Sequence, residues 1–248
     1  MTAYLAVASK AASFAAVLRF FLEALGGIKE SWRMLLVAVC VATMLLGNVV
    51  AIAQTNIKRM LAYSSIAHAG YALIGLVVAD AAGVAGVMLY LAIYAFMNLG
   101  AFAVVTMLRR GGLEGDEIDD FTGLARRNKW AAFVMLLFMF SLAGIPPTAG
   151  FIAKFYVFMA AVGANMTGLA VIAVVFAAIS AYFYLRVVMV MYMREPGETA
   201  GTPGYDVRVV ASPATIAVLL IAALGVIILG VFPDPLIQAA QSAILPLR

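Results

Sequence analysis

Charge is what this sequence is poorest in. Asp, Glu, Lys and Arg make up 11% of its 248 residues, where a soluble globular domain carries about 25%, and a free-standing water-soluble fold is excluded. Cysteine occurs once, as Cys40 inside an apolar run, so the sequence holds no disulfide framework and no cysteine cluster. Histidine also occurs once, as His68, which removes the paired ligands of a haem or zinc site. No glycine fingerprint for a dinucleotide is present. The stretch after Met1-Thr-Ala-Tyr4 lacks a basic leading region and a cleavage site, so no cleavable signal peptide is read. The net charge of +4 does not gather into a patch. Its basic residues stand at the ends of apolar runs, and nucleic acid is not an expected partner.

Apolar side chains fill the remainder, at 66% of residues. Runs long enough to cross a hydrocarbon core about 30 Å thick recur along the chain. Backbone groups find no partners in lipid, so such runs are helices or barrel strands, and runs that are apolar all round are helices. The fold class expected is all-α: a polytopic membrane protein of about seven transmembrane helices. The spans read as Thr2–Leu25, Met34–Ala53, Met60–Ala79, Ala82–Leu108, Trp130–Phe158, Leu169–Met193 and Val210–Val231. The connections are short apart from Arg109–Lys129 and Arg194–Arg208, and Glu195–Asp206 reads as an exposed loop. Lipid is therefore one surrounding partner.

Basic residues outside the spans are unevenly shared. Lys58, Arg59, Arg109, Arg110, Arg126, Arg127, Lys129, Arg194 and Arg208 fall on the N-terminal face; Lys29, Arg33 and Arg248 fall on the other. The positive-inside rule then puts the N-terminus in the cytoplasm and the C-terminus outside, with a bacterial inner membrane as the expected location.

The fifth span is too long for one crossing and too short for two. From Trp130 to Val162 it would run roughly 50 Å as a straight helix. Its middle reads Gly144-Ile-Pro-Pro-Thr-Ala-Gly150, in which two prolines withdraw donors and clash with the preceding turn. Two half-helices joined by an unwound segment near mid-membrane are expected; a simple proline kink is the plainer alternative. Broken helices of this kind line hydrated or protein-enclosed sites in transporters.

Lys10, His68 and Lys154 stand out among the ionisable residues inside the spans. Lys10 stands roughly 12 Å into the first, either as a snorkelling residue near a helix end or as a functional charge. Lys154 follows the Pro-Pro break by about two turns, too deep for easy snorkelling. His68 sits midway along the third span, with Ser64 one turn before it and Tyr71 three residues after. It is either a hydrogen-bonded core residue or a proton carrier. A metal site is not expected, because no second ligand shares these spans. Every acidic residue lies in a loop or near a span end, with Glu23 the deepest. Two buried lysines thus lack a buried carboxylate. Either water and the histidine suffice, or the acidic partner belongs to another polypeptide, which is the reading preferred.

Long motifs point to a family. Thr55-Asn-Ile-Lys-Arg-Met-Leu-Ala-Tyr-Ser-Ser-Ile-Ala-His-Ala-Gly-Tyr71 and Ser141-Leu-Ala-Gly-Ile-Pro-Pro-Thr-Ala-Gly-Phe-Ile-Ala-Lys-Phe-Tyr156 resemble the antiporter-like membrane subunits of respiratory complex I. Thr2-Ala-Tyr-Leu-Ala-Val-Ala-Ser-Lys-Ala11 and Asp119-Asp-Phe-Thr-Gly-Leu-Ala-Arg-Arg127 add to the likeness. Ala153-Lys-Phe-Tyr156 and Ala8-Ser-Lys10 make it most similar to the subunit N (subunit 2) type of proton-pumping NADH–quinone oxidoreductase.

The resemblance implies a fourteen-helix fold of two inverted repeats, of which residues 1–248 match helices eight to fourteen. It implies that Lys10, His68 and Lys154 form a proton pathway through Lys, His and water. It implies that this chain holds no cofactor, with NADH, flavin, iron–sulfur clusters and quinone in partner subunits of a complex I-type assembly. The family's acidic residue of the fifth helix would precede Met1, so a separate or missing N-terminal half, or a shortened reading frame, is expected. A subunit of a cation/proton antiporter complex or membrane-bound hydrogenase, or a structural half-subunit without conduction, are the alternatives.

Overall fold

The computed structural model describes residues 5–110, 113–195 and 207–243. Within them the chain is a bundle of apolar helices. The first, α1, covers residues 5–24: an α-helical centre, Lys10–Arg19, flanked by π-helical turns Leu5–Ser9 and Phe20–Ala24. There follow α2 (Lys29–Ile52), α3 (Ile57–Val78), α4 (Ala81–Met107), α5 (Lys129–Ala143), α6 (Ala149–Gly163), α7 (Thr167–Met193) and α8 (Pro213–Val231). With α5 and α6 as the two parts of the fifth span, this is the seven-span arrangement expected. Five helices (26–52, 57–78, 81–107, 167–193 and 213–231) are each long and apolar enough to cross a membrane; α5 and α6 are shorter apolar helices.

Polar residues just outside the apolar runs start four of them. Asn56, Asp80, Asn128 and Ser212 each accept a hydrogen bond from the backbone N–H three residues on, at 2.7–3.1 Å. Each satisfies one of the donors that a helix start leaves unpaired. These caps begin α3 and α5 within a few residues of the expected boundaries. The second span begins earlier than expected, at Lys29 rather than Met34, since a charged first turn ends the apolar pattern without ending the helix.

The fifth span breaks as expected. Ala143 closes α5, Gly144 turns through φ +86°, and α6 starts at Ala149. Ser141 Oγ accepts from Gly150 N–H at 3.1 Å, tying the two halves across the break. The Pro146–Pro147 peptide is cis.

Two features were not foreseen. A small antiparallel sheet, order β2-β1-β3, joins β1 (Leu108–Arg110) to β2 (Leu113–Glu114) and to β3 (Val207–Val209), with Arg109 opposite Glu114 and Arg208. Strands this short carry no periodicity for a sequence to display. A further helix, α9 (Asp234–Ser242), follows α8; Gln241 Nε2 on it donates to the Tyr156 hydroxyl at 2.9 Å. The expected exposed loop at Glu195–Asp206 lies, beyond Glu195, outside the described residues, as do Thr2-Ala-Tyr4 of the first span.

α4 is the hub. It packs against α1, α3, α5, α6, α8 and α9, while α2 lies on α3 and α7. The α3–α4 seam is close because glycines meet across it: a Cβ on Gly75 would collide with the Gly83 carbonyl, and one on Gly83 with the Gly75 carbonyl. Small residues permit this approach between helices that gain nothing from water exclusion in lipid. Gly75→Val is expected to force the seam apart at a cost of about 1–3 kcal/mol. The check is the thermal midpoint of the purified chain in detergent: it falls well below wild type, and an unchanged midpoint would show that the seam is not tightly packed.

Candidate functional site

The inner helices α3 and α4 carry the polar residues, and helices on either side bring the charges to them. His68 on α3 is 2% exposed. Its Nδ1 lies 2.7 Å from the Tyr90 hydroxyl on α4, and its Nε2 lies 3.0 Å from the Tyr184 hydroxyl on α7. Both ring nitrogens are thus engaged, one as donor and one as acceptor according to tautomer. The rings of Tyr71 and Tyr94 flank the imidazole with centroids 5.8 and 5.0 Å away.

Each lysine meets one of those flanking rings. Lys10 Nζ stands 4.5 Å from the Tyr94 centroid and Lys154 Nζ 5.2 Å from the Tyr71 centroid, within the range of cation–π attraction. The order across the bundle is therefore Lys10, Tyr94, His68, Tyr71, Lys154. Both lysines lie within electrostatic reach of the imidazole.

Lys10 does not snorkel. Its half-buried ammonium turns inward and donates to the Ser65 carbonyl at 2.5 Å and to Ser65 Oγ at 2.6 Å. Lys154 is 5% exposed and donates to the carbonyls of Leu142 and Ala143 at 3.0 and 2.8 Å. Those carbonyls are the last of α5, left without intrahelical donors because the helix stops there. They also form the negative end of its dipole, which favours a cation. Neither lysine forms an ion pair with a carboxylate among the described residues. Glu23, the deepest acidic residue, is exposed and paired with Arg19 at 3.3 Å. Among the described residues no group of His, Cys, Asp and Glu is arranged to hold a metal ion.

Several buried polar atoms around this row lack a protein hydrogen-bond partner: Asn48 Oδ1, the Tyr71 and Tyr94 hydroxyls, and both amide atoms of Asn98. The Tyr71 hydroxyl faces Asn48 and Ser180, and that of Tyr94 faces Ser65, without reaching hydrogen-bond geometry. Buried polar atoms of this kind are where ordered water is normally held. The arrangement can bind, hold and pass protons.

Lys10, His68 and Lys154, widely separated in sequence, are thus gathered into one row. Sequence reading missed Tyr90, Tyr94, Tyr184, Asn98 and Ser65. Tyr90 and Tyr94 stand four residues apart, so they share one face of α4, and a pair of hydroxyl-bearing rings in an otherwise apolar span was the available signal. Ser64, marked earlier as a neighbour of His68, donates to Leu61 O instead; Ser65 is the residue that meets Lys10.

Residues 1–180 match the family model described as NADH:quinone oxidoreductase/Mrp antiporter, transmembrane. Over 243 residues the chain is 50% identical to NADH-quinone oxidoreductase subunit N 2 of Rhizobium meliloti (strain 1021), covering 98% of this chain and 49% of that protein. Subunit N 2 of Solibacter usitatus (strain Ellin6076) is 43% identical over 244 residues, with 98% and 48% covered. The chain thus spans about half the length of these curated relatives. Among solved structures, a chain of respiratory complex I from Thermus thermophilus with bound aureothin superposes with a TM-score of 0.70 at 30% identity, over 84% of this chain and 45% of that one. The Mrp complex from Dietzia sp. DQ12-45-1b shares the fold at 22% identity, with a TM-score of 0.77 over 92% and 49%.

Lys154 offers a direct test of the geometry. Lys154→Met keeps the bulk but leaves the Leu142 and Ala143 carbonyls without donors, a loss of about 1–3 kcal/mol. The expected result is a lower unfolding midpoint in detergent. A midpoint above wild type would mean that burying the ammonium costs more than capping α5 returns.

Proposed function

The chain belongs to the NADH:quinone oxidoreductase/Mrp antiporter membrane family, and from that membership we propose that it is a proton-translocating part of an NADH–quinone oxidoreductase. Its residues correspond to helices eight to fourteen of a subunit N type protein, whose relatives it matches over about half of their length. The assembly is of the complex I type, with NADH, flavin, iron–sulfur clusters and quinone in other subunits. It sits in a bacterial inner membrane with the N-terminus on the cytoplasmic side.

The observation that carries this reading is the Lys10–Tyr94–His68–Tyr71–Lys154 row, enclosed in apolar helices and bearing unpartnered polar atoms along its length. Nothing in a stable membrane bundle requires two lysines at this depth, where each costs at least about 2.5–3.5 kcal/mol on insertion scales. Lys10 exchanges a proton with the preceding half of the subunit, His68 carries it through the centre, and Lys154 passes it towards the outer side. Redox chemistry elsewhere drives the cycle by changing the charge that these lysines experience.

The Mrp complex shares the fold, and a cation/proton antiporter subunit would use the same row without redox partners. Lys10→Ala and Lys154→Ala, each introduced into the assembled enzyme, are expected to slow proton pumping by about a hundredfold or more, the usual effect of removing a proton-transfer group. Proton uptake into vesicles during NADH oxidation reads the effect. Full pumping in both variants would overturn the assignment; pumping that survives without NADH but follows a sodium gradient would favour the antiporter.

A further inference from the structure

Asn98 alone among the described residues buries two polar side-chain atoms without a protein partner. It lies on α4, is 1% exposed, and stands outside the Lys10–Tyr94–His68–Tyr71–Lys154 row. A second buried asparagine, Asn48, settles its Nδ2 on its own helix by donating to Met44 O at 2.7 Å. Asn98 leaves both Nδ2 and Oδ1 free of the protein. An amide buried in this way among apolar helices calls for a partner that can both accept and donate a hydrogen bond. Water does both.

Tyr90, Tyr94 and Asn98 follow one another at intervals of four residues along one face of α4. Helical side chains lean towards the N-terminus of their helix, so the Asn98 amide is carried back over the turn that holds Tyr94. The Tyr94 hydroxyl is itself buried and unpartnered. It faces Ser65, whose Oγ accepts from Lys10 Nζ at 2.6 Å. Leu5–Ser9, the turn leading into Lys10, also packs on α4. Beyond Asn98 the same face is apolar, with Ala101, Phe102 and Val105 all buried. Asn98 thus ends the polar groups on the side where α4 runs out at Met107.

We propose that Asn98 is a positioning residue: its amide fixes an ordered water against the Tyr94 hydroxyl, and Lys10 exchanges its proton through that water. This rests on the reading of Lys10 as part of a proton pathway, and it gives Lys10 a route inside this chain. A water there has three partners, Asn98 Nδ2, Asn98 Oδ1 and the Tyr94 hydroxyl, the usual number for a buried water. Asn98 holds the water and carries no proton itself. To recharge a neutral Lys10, an O–H bond of the water breaks as its proton reaches the Tyr94 oxygen. The Tyr94 hydroxyl proton passes to Ser65 Oγ, and the Ser65 hydroxyl proton completes the ammonium. A second water, entering from the side on which α4 ends, restores the first. Lys10 gains one proton, the water supplies one, and no electron moves. Each hydroxyl then turns about its C–O bond to face forward again, so the same atoms carry the next proton in the same direction.

The full chain, labelled with ¹³C and ¹⁵N and reconstituted in lipid vesicles, reads the site by solid-state NMR. The Asn98 side-chain amide, assigned through its own carbon correlations, is expected to receive magnetisation from water at mixing times at which the Ala101 and Val105 methyls receive none. A dry Asn98 amide in wild type overturns the inference, and needs no variant to fold. In the assembled enzyme N98L, close in size but without polar atoms, is expected to slow proton pumping by about tenfold, the effect of one lost hydrogen bond to a buried group. N98S, which can still hold a water, is expected to retain most of the pumping, a rescue that a purely structural role would not give. Wild-type pumping in N98L, or equal loss in N98L and N98S, overturns the inference; if Lys10→Ala still stops pumping, the pathway reading stands. Wild-type pumping in Lys10→Ala overturns the pathway reading and this inference with it. Should N98L fail to assemble, the wild-type spectrum decides.

Discussion

A positive charge inside a membrane must be met by something, and for Lys154, Lys29 and Arg186 it is met by the ends of helices. Lys154 donates to the last carbonyls of α5. Lys29 donates to Val78 O and Ala79 O at the end of α3, and Arg186 to Ile52 O and Gln54 O at the end of α2. Each cation sits where unpaired carbonyls and the negative end of the dipole coincide. For Lys29 and Arg186 these are ends that any helix has. For Lys154 the end exists because Gly144 and the two prolines interrupt the span. The break is therefore what allows a lysine to be buried there without an acid beside it.

That account changes how the missing carboxylate is understood. Sequence reading found two buried lysines without a buried acid and preferred a partner in another polypeptide. Lys154 has its compensation within this chain, in backbone that no residue type reveals. Lys10 has less: one serine and the face of a tyrosine. It also lies on α1, where Ser9 and the run Ala11 to Ser13 are exposed. Of the two lysines, Lys10 is the one with less compensation among the described residues.

The spans were legible because their cause is local: apolar length, a Pro-Pro interruption and the charges between runs. The positions of Lys10, His68 and Lys154 were legible for the same reason, since any ionisable group in an apolar run is anomalous. The tyrosines were not. Tyrosine is ordinary in a membrane helix, and Tyr90 and Tyr184 acquire meaning only when α4 and α7 turn both hydroxyls to the same imidazole. Likewise the choice of Ser65 over Ser64 depends on the rotation of α3 about its axis, which packing against α2 and α4 decides. The strands of the sheet, two or three residues each, are too short to leave a pattern.

The sheet bears on how this bundle moves. β1 directly continues α4, and β3 leads into α8, so their pairing is a clasp between two helices far apart in sequence that also pack on each other. The broken span and α7 lie between the clasped ends. Closing a loop of that length removes much of the freedom its ends would otherwise have. The segment that carries Lys154 is consequently a handle fastened at both ends, and the Ser141–Gly150 and Lys154–Ala143 hydrogen bonds hold its two halves to each other across the break.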